Sequence, residues 1–258
     1  MQDLKITIVQ TFLFWENKMK NLEMFSEKIN EISEETDLIV LPEMFTTGFT
    51  MNNETLAEKP TGATFKWMKE MAIQKNCVIT GSYIVREKEA YYNRLIWMRP
   101  DGTCKKYDKR HLFGFASEDQ HFTSGKSRLI VTLKEWRICP LICYDLRFPV
   151  WSRNKNDYDV LIYIANWPKA RREAWNVLLK ARAHENQCYV IGVNRIGLDG
   201  KQTPFSGDSA VIDPKGQVIS KTKPNTTSVE TVTLSWNDLA QFREKFPVAK
   251  DADDFEIM

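Results

Sequence analysis

Long apolar runs are missing from this sequence of 258 residues. No stretch approaches the roughly 18 consecutive apolar residues that read as a membrane-spanning helix, so no membrane partner is expected. The first residues carry no basic region followed by an apolar stretch and a small-residue cleavage site, so no secretory signal is read there. An excess of one charge sign is also missing. Lys and Arg number 36 and Asp and Glu 34, a formal net charge of +2. The cations are scattered, which argues against a nucleic-acid or membrane-surface partner. Histidine is scarce. His111, His121 and His184 stand far apart without metal-ligand spacing, so no metal is expected. The cysteines are Cys77, Cys104, Cys139, Cys143 and Cys188, with no Cys-x-x-Cys pair among them. An odd set without a secretory signal reads as reduced thiols in a cytoplasmic protein. Repeats of roughly 20 to 50 residues, low-complexity segments and Gly/Ser linkers are absent too. Residues 1–258 therefore read as a single domain.

What is present is ordinary globular material, 43% hydrophobic and 27% charged, enough for a large core. Leu4 to Phe12 alternates apolar and polar residues and predicts a strand. Asn17 to Thr36 places Met19, Leu22, Phe25, Ile29 and Ile32 at spacings of three and four, which predicts an amphipathic helix. Leu38–Leu41 is a short continuous apolar run, the pattern of a strand buried on both faces, and Pro42 ends it. A second helix opens at Thr61–Gly62, with Phe65, Met68 and Ala72 on one side. Cys77 to Val85 is again strand-like. Pro100–Asp101–Gly102 and Asp213–Pro214–Lys215–Gly216 predict two hairpins. The first joins Tyr91–Met98 to Thr103–Tyr107, the second Ser209–Ile212 to Gln217–Ser220. Arg128–Leu133 and Arg137–Cys143 read as a further strand pair. Asp159–Ala165 reads as a buried strand, Ala170–Asn186 as a helix, and Tyr189–Asn194 and Thr227–Leu234 as strands. A short helix follows Trp236. This order predicts an α/β protein with mixed sheets and helices on their outer faces.

Three residues stand where a predicted strand ends: Glu43, Lys109 and Cys143. In α/β folds reactive groups gather just past strand ends, where loops leave the sheet. Taken singly each has a bland reading: a solvated acid, a surface lysine in the basic run Lys105–Arg110, a small core thiol. Together they meet a chemical need. A thiol with a pKa near 8.5 is only a few per cent thiolate at neutral pH. One lysine charge about 4 Å away, at an effective dielectric of about 20, is worth roughly 4 kcal/mol, on the order of three pKa units. Alternatively, a carboxylate can take the proton as the thiol attacks. A Glu–Lys–Cys set supplies both devices without a histidine.

The segments Leu41–Phe49, Tyr107–Phe113 and Ile142–Pro149 resemble, in order, the three signature motifs of the nitrilase superfamily of carbon–nitrogen hydrolases. Asn166–Trp167–Pro168, Ala181–Arg182–Ala183 with Glu185–Asn186–Gln187, and Gly207–Asp208–Ser209 extend the resemblance over nearly the whole chain. The omega-amidase branch, acting on monoamides of 2-oxo dicarboxylic acids, is the most similar. The resemblance implies a four-layer α-β-β-α sandwich and a homodimer extending it through a helical face. It implies that Glu43 is the general base, Lys109 the oxyanion partner with the backbone N–H of Tyr144, and Cys143 the nucleophile. Glu118 maps onto a second family glutamate that positions the lysine and the substrate amide. The expected reaction is cofactor-free hydrolysis of a small carboxamide through a thioester.

Around these four, Phe45, Phe113, Phe115 and Trp167 are expected to wall the pocket. Arg147 either pairs with Asp145 across the turn or reaches a substrate carboxylate. Arg171 and Arg172 either bind an anionic substrate or decorate a helix surface. Alternatives remain within the family, as an N-carbamoyl amide hydrolase, a nitrilase or another amidase. Outside it stand a binding protein on the same scaffold and a papain-like Cys–His enzyme using His184, a residue otherwise taken as a surface or packing histidine.

Overall fold

The computed structural model describes residues 1–256. Its first sheet gathers β1 (Leu4–Gln10), β2 (Leu38–Val40), β3 (Val78–Glu87), β4 (Ala90–Met98) and β5 (Cys104–Asp108). Its second gathers β6 (Val131–Leu133), β7 (Trp136–Ile142), β8 (Val160–Ala165) and β9 (Tyr189–Asn194). Three short strands follow: β10 (Ile196–Leu198), β11 (Pro204–Ser206) and β12 (Ala210–Ile212), and then β13 (Ser228–Leu234). The first sheet runs β13-β1-β2-β3-β4-β5 and the second β12-β9-β8-β7-β6, while β10 and β11 pair only with each other. In each sheet the central strands run parallel, β1-β2-β3 in one and β7-β8-β9 in the other, with antiparallel neighbours outside them.

The period-two pattern decides which side chains go where. On the first sheet Ile6, Leu38, Val40, Val78, Leu95 and Trp97 point to the cluster shared with the second sheet. Their neighbours Val9, Ile39, Ile79, Ile96 and Met98 join Leu22, Phe25 and Ile29 of α1 (Lys18–Asn30) and Met68 and Ala72 of the helix Ala63–Lys75. On the far side the helix Arg172–Asn186 lays Trp175, Leu179 and Ala183 on the second sheet. The layers are therefore helices, sheet, sheet, helix, the four-layer α/β sandwich that the resemblance implies. No helix among the described residues is long and apolar enough to cross a membrane.

Two elements depart from the sequence pattern. The first helix stops at Asn30, short of Thr36. Competing bonds to the first strand draw the segment out: Asp37 N–H donates to Lys5 O (2.9 Å), and the Thr36 hydroxyl bonds Thr7 and Leu38. The turn at Asp213–Gly216 forms, with Asp213 N–H to Gln217 O at 2.9 Å, yet the predicted return strand does not. Only an isolated bridge joins Ile212 to Val218. Val218 and Ile219 stay 48% and 37% exposed, so that segment has no face to bury.

Close packing of the outer helix on β9 rests on Gly192. A methyl group there would come within 2.5 Å of Leu179 Cδ1 and 2.9 Å of Trp175 Cζ2. Gly192→Ala is therefore expected to destabilise the protein by about 1–3 kcal/mol through overpacking. Urea unfolding with an unchanged m-value checks this, and an unchanged midpoint would show that the helix rides freely on the sheet.

Candidate active site

Four strand ends converge at the seam between the two sheets. Glu43 follows β2 through Leu41–Pro42. Its loop is fastened to β3, where Met44 N–H donates to Ser82 Oγ (2.9 Å) and Phe45 N–H to Ser82 O (3.0 Å). Lys109 follows β5, its N–H held by Asn93 O at 3.0 Å. Cys143 follows β7 and opens a 3-10 turn, Cys143–Arg147, with φ at +45°. A non-glycine residue in that region is strained, and strain of this kind collects at reactive turns. Asn166 follows β8. Glu118 is brought in by the loop after Lys109, at the start of a single helical turn, Glu118–His121.

The charged groups touch directly. Lys109 Nζ lies 2.9 Å from Glu43 Oε1, and 3.0 and 2.9 Å from the two oxygens of Glu118. All three side chains are fully buried. Asn93 Nδ2 bridges the acids, 2.8 Å from Glu43 Oε1 and 3.3 Å from Glu118 Oε1. Glu118 Oε2 also accepts from Phe113 N–H (2.6 Å). Glu43 Oε2 accepts from Asn166 N–H (2.8 Å), while Asn166 Nδ2 reaches the Glu43 carbonyl (2.5 Å).

A carboxylate offers about four acceptor sites. Glu118 fills two on each oxygen. Glu43 fills two on Oε1 and one on Oε2, which leaves one site for the Cys143 thiol, its remaining hydrogen-bond partner.

Titration follows from burial and from this charge balance. Burial opposes the Lys109 ammonium, but Glu118 and Glu43 outweigh it and hold the group above its ordinary value. Burial pushes the Glu118 carboxyl up, Lys109 pulls it down, and the Glu43 charge adds to the rise. Burial also holds the Cys143 thiol well above the ordinary cysteine value. The charge of Glu43 adds to this, and Lys109 only partly offsets it. Of the two devices open from sequence, a lysine-made thiolate or a carboxylate base, the resting charge balance disfavours the first. Burial likewise pushes Cys77 and Cys139 up to about 12, and neither lines the cavity.

Cys143 and Lys109 open into a cavity of about 210 Å³. Of the residues expected around it, Phe113, Phe115, Tyr144, Arg147, Trp167 and Arg171 all line it. Arg147 lies over the Trp167 ring at 5.1 Å, and Arg171 over the Phe113 ring at 5.2 Å.

One expectation needs correcting, and two alternatives left open by the sequence are decided. Phe45 is no part of the wall. It is fully buried on the helix side of the first sheet, against Phe25 and Trp67. Asp145 and Arg147 form no ion pair, because Asp145 is filled by Tyr107 OH, by Ile142 N–H, and by the N–H and Nδ1 of His111. Arg172 pairs with Asp208 (2.5 Å) and does not line the cavity. His184 is exposed and packs beside Gly216, and it too lies outside the cavity lining.

Sequence reasoning missed Asn93, which lies inside β4 and has no motif of its own. It also missed the β10–β11 hairpin, whose Asp199, Lys201, Thr203 and Phe205 close one wall. Arg195 underpins that hairpin. It is fully buried, donates to Leu198 O (2.7 Å), and is driven down to about 10 by burial.

Comparison with known proteins agrees with this architecture. A family model described as carbon-nitrogen hydrolase matches residues 5–244. An omega-amidase of Escherichia coli is 45% identical over the full length of both chains. A 2-oxoglutaramate amidase of Bacillus subtilis is 33% identical over 90% of each. A solved structure from Xanthomonas campestris, a protein of the CN-hydrolase superfamily with an arsenic adduct in its active site, is 41% identical. It covers both chains fully with a TM-score of 0.98. The chain belongs to the carbon-nitrogen hydrolase family, within the nitrilase superfamily.

Proposed function

We propose that this protein is an omega-amidase that hydrolyses 2-oxoglutaramate or 2-oxosuccinamate to the dicarboxylate and ammonia, with Cys143 as nucleophile. The observation that carries the reading is the one acceptor site on Glu43 that its other partners leave to the Cys143 thiol, beside a Glu118 whose sites are all filled. Glu43 takes the thiol proton as Cys143 sulfur attacks the carboxamide carbon. The carbonyl electrons move to oxygen, where Lys109, turning one N–H away from its carboxylates, and the Tyr144 backbone N–H stabilise them. Glu43 returns the proton to nitrogen, the carbon–nitrogen bond breaks, and ammonia leaves a thioester. Water, deprotonated by Glu43, attacks that thioester; the carbon–sulfur bond breaks, and Glu43 passes the proton to the departing sulfur, which restores the thiol and releases the acid. Glu118, with all acceptor sites filled, positions Lys109. No cofactor enters these steps.

The cavity chemistry supports the substrate. Arg147, Arg171 and Lys201 line it, and none makes an ion pair among the described residues. The acid beside them, Asp199, has Oδ1 engaged by Lys201 N–H and Thr203 N–H (both 2.8 Å). A surplus of cations suits a second carboxylate and repels an ammonium. A 2-oxo acid therefore fits better than its 2-amino counterpart. Two of the relatives, one named an omega-amidase and one a 2-oxoglutaramate amidase, support the same reading. The proposal includes a single catalytic domain, a cytoplasmic setting in which the thiols stay reduced, and a homodimer. Val150 and Val177, 56% and 60% exposed on helical surfaces, suit such contact.

Ammonia release from 2-oxoglutaramate tests the chemistry. Cys143→Ala removes the nucleophile and is expected to abolish turnover, and Lys109→Ala is expected to lower it by about a hundredfold or more, since one oxyanion donor is worth about 3–4 kcal/mol. His184→Ala is expected to keep it, with folding checked by circular dichroism. Loss on His184→Ala with retention on Lys109→Ala would favour a Cys–His enzyme. No turnover of any 2-oxo acid monoamide, alongside turnover of another amide or nitrile, would overturn the substrate.

The base and the electrostatic roles of Glu43 separate in Glu43→Gln. Its charge holds the thiol up, so its removal lowers the thiol pKa and enlarges the thiolate fraction at pH 7. Iodoacetamide is then expected to alkylate Cys143 faster than in the wild type, while ammonia release falls by about 10²–10⁴-fold. Slower alkylation together with retained turnover would remove Glu43 from the mechanism. For the second carboxylate, Arg171→Ala is expected to raise KM by about tenfold or more, one charge-assisted hydrogen bond being worth roughly 1.5–3 kcal/mol. An unchanged KM would place that carboxylate elsewhere.

A further inference from the structure

One buried acid outside the reacting cluster holds its two halves together. Asp145 is fully buried and receives four hydrogen bonds from two separate chain segments. On Oδ2 it accepts from Ile142 N–H (3.0 Å) and Tyr107 OH (2.7 Å). On Oδ1 it accepts from His111 N–H (3.0 Å), with His111 Nδ1 at 2.8 Å. Tyr107 and His111 flank Lys109, and Ile142 precedes Cys143. The clasp is reinforced on both sides. Tyr107 OH accepts from Arg110 N–H (3.2 Å) and Trp151 Nε1 (3.1 Å), so its own proton is directed to Asp145. The His111 ring stacks on Phe148 at 3.7 Å, and Phe148 N–H donates to Asp145 O (3.0 Å).

We propose that Asp145 is a positioning residue that fixes the spacing of Lys109 and Cys143, with His111 Nδ1–H as the donor that completes the clasp. The proposal rests on the roles given to those two residues above. Asp145 acts through geometry. The main influences on the thiol are burial, then Glu43, Lys109 and Glu118. The carboxylate is needed in full, because each oxygen faces one backbone N–H that cannot reverse. A carboxamide at this position would set its NH₂ against Ile142 N–H or His111 N–H at nearly unchanged volume, so Asp145→Asn opens the clasp without cutting a cavity.

The test uses the full chain and ammonia release from 2-oxoglutaramate. Wild-type turnover comes first, because its absence would sink the amidase reading and leave the clasp to be judged on the amide or nitrile that is turned over. For Asp145→Asn, kcat per folded molecule is expected to fall by about 10- to 100-fold with KM within about threefold, the signature of misplaced reacting groups. His111 supplies an independent arm. Asparagine puts a donor nitrogen at the same side-chain position as Nδ1, so His111→Asn is expected to recover most of the kcat that His111→Ala loses, although both lose the Phe148 stack. Wild-type kcat in folded Asp145→Asn would overturn the proposal. So would equal kcat for His111→Asn and His111→Ala. If Asp145→Asn does not fold, the histidine pair decides alone.

Discussion

Two buried carboxylates share one buried ammonium, and the rest of the site is arranged around that imbalance. One lysine cannot neutralise both Glu43 and Glu118. The cluster therefore tolerates one additional proton, and the place for it is set by hydrogen bonding. Glu118 is filled by Lys109, Asn93 and Phe113, whereas Glu43 keeps one acceptor site. Burial first, and then the same excess of negative charge, hold the neighbouring thiol well above its ordinary value. A pre-formed thiolate beside two carboxylates would be a third buried anion against one cation, which the low dielectric of the site penalises heavily. Moving the thiol proton onto Glu43 during attack avoids that state, because the negative charge then passes to the substrate oxygen rather than accumulating in the cluster.

The fold matters because it supplies this cluster from both sheets. Glu43, Asn93 and Lys109 come from the first sheet and Cys143 and Asn166 from the second. The closest link across the seam is Asn166, which bonds both the side chain and the carbonyl of Glu43. Anything that lets one sheet slide on the other moves the acid away from the sulfur. The shared apolar layer of Ile6, Leu38, Val40, Leu95 and Trp97 against the second sheet is thus also what holds the reacting groups in register. Interiors packed to this density resist such sliding.

Much of this was legible in the sequence. The strands at Leu38–Val40, Trp136–Ile142 and Val160–Ala165 declare themselves by apolar runs too short for helices. The convergence of Glu43, Lys109, Glu118 and Cys143 was readable only by resemblance, since no periodicity links residues so far apart. What stayed hidden has physical causes. Asn93 sits in the middle of a strand and looks like any polar residue facing a polar neighbour. The β10–β11 hairpin is held by Arg195, a buried cation bonded only to carbonyls among the described residues. A lone arginine gives no sequence sign that its partners will be backbone. Phe45 was misplaced because it lies in the turn after β2, where no periodicity tells which side of the sheet a side chain takes.

Asp145 shows how competition decides between alternatives that the sequence leaves open. From sequence, an acid and an arginine two residues apart in a turn suggest an ion pair. In the structure four donors from Tyr107, His111 and Ile142 converge on the acid, and two of them are backbone groups with no freedom to turn elsewhere. An exposed ion pair is worth at most about 1 kcal/mol, whereas leaving a single buried donor unmet costs about 1–3 kcal/mol. The acid therefore goes inward. Arg147, released from it, lies over Trp167 at the cavity wall, where its charge is available to a ligand. The turn that positions the sulfur and the cation that faces the substrate thus follow from the same choice of partners.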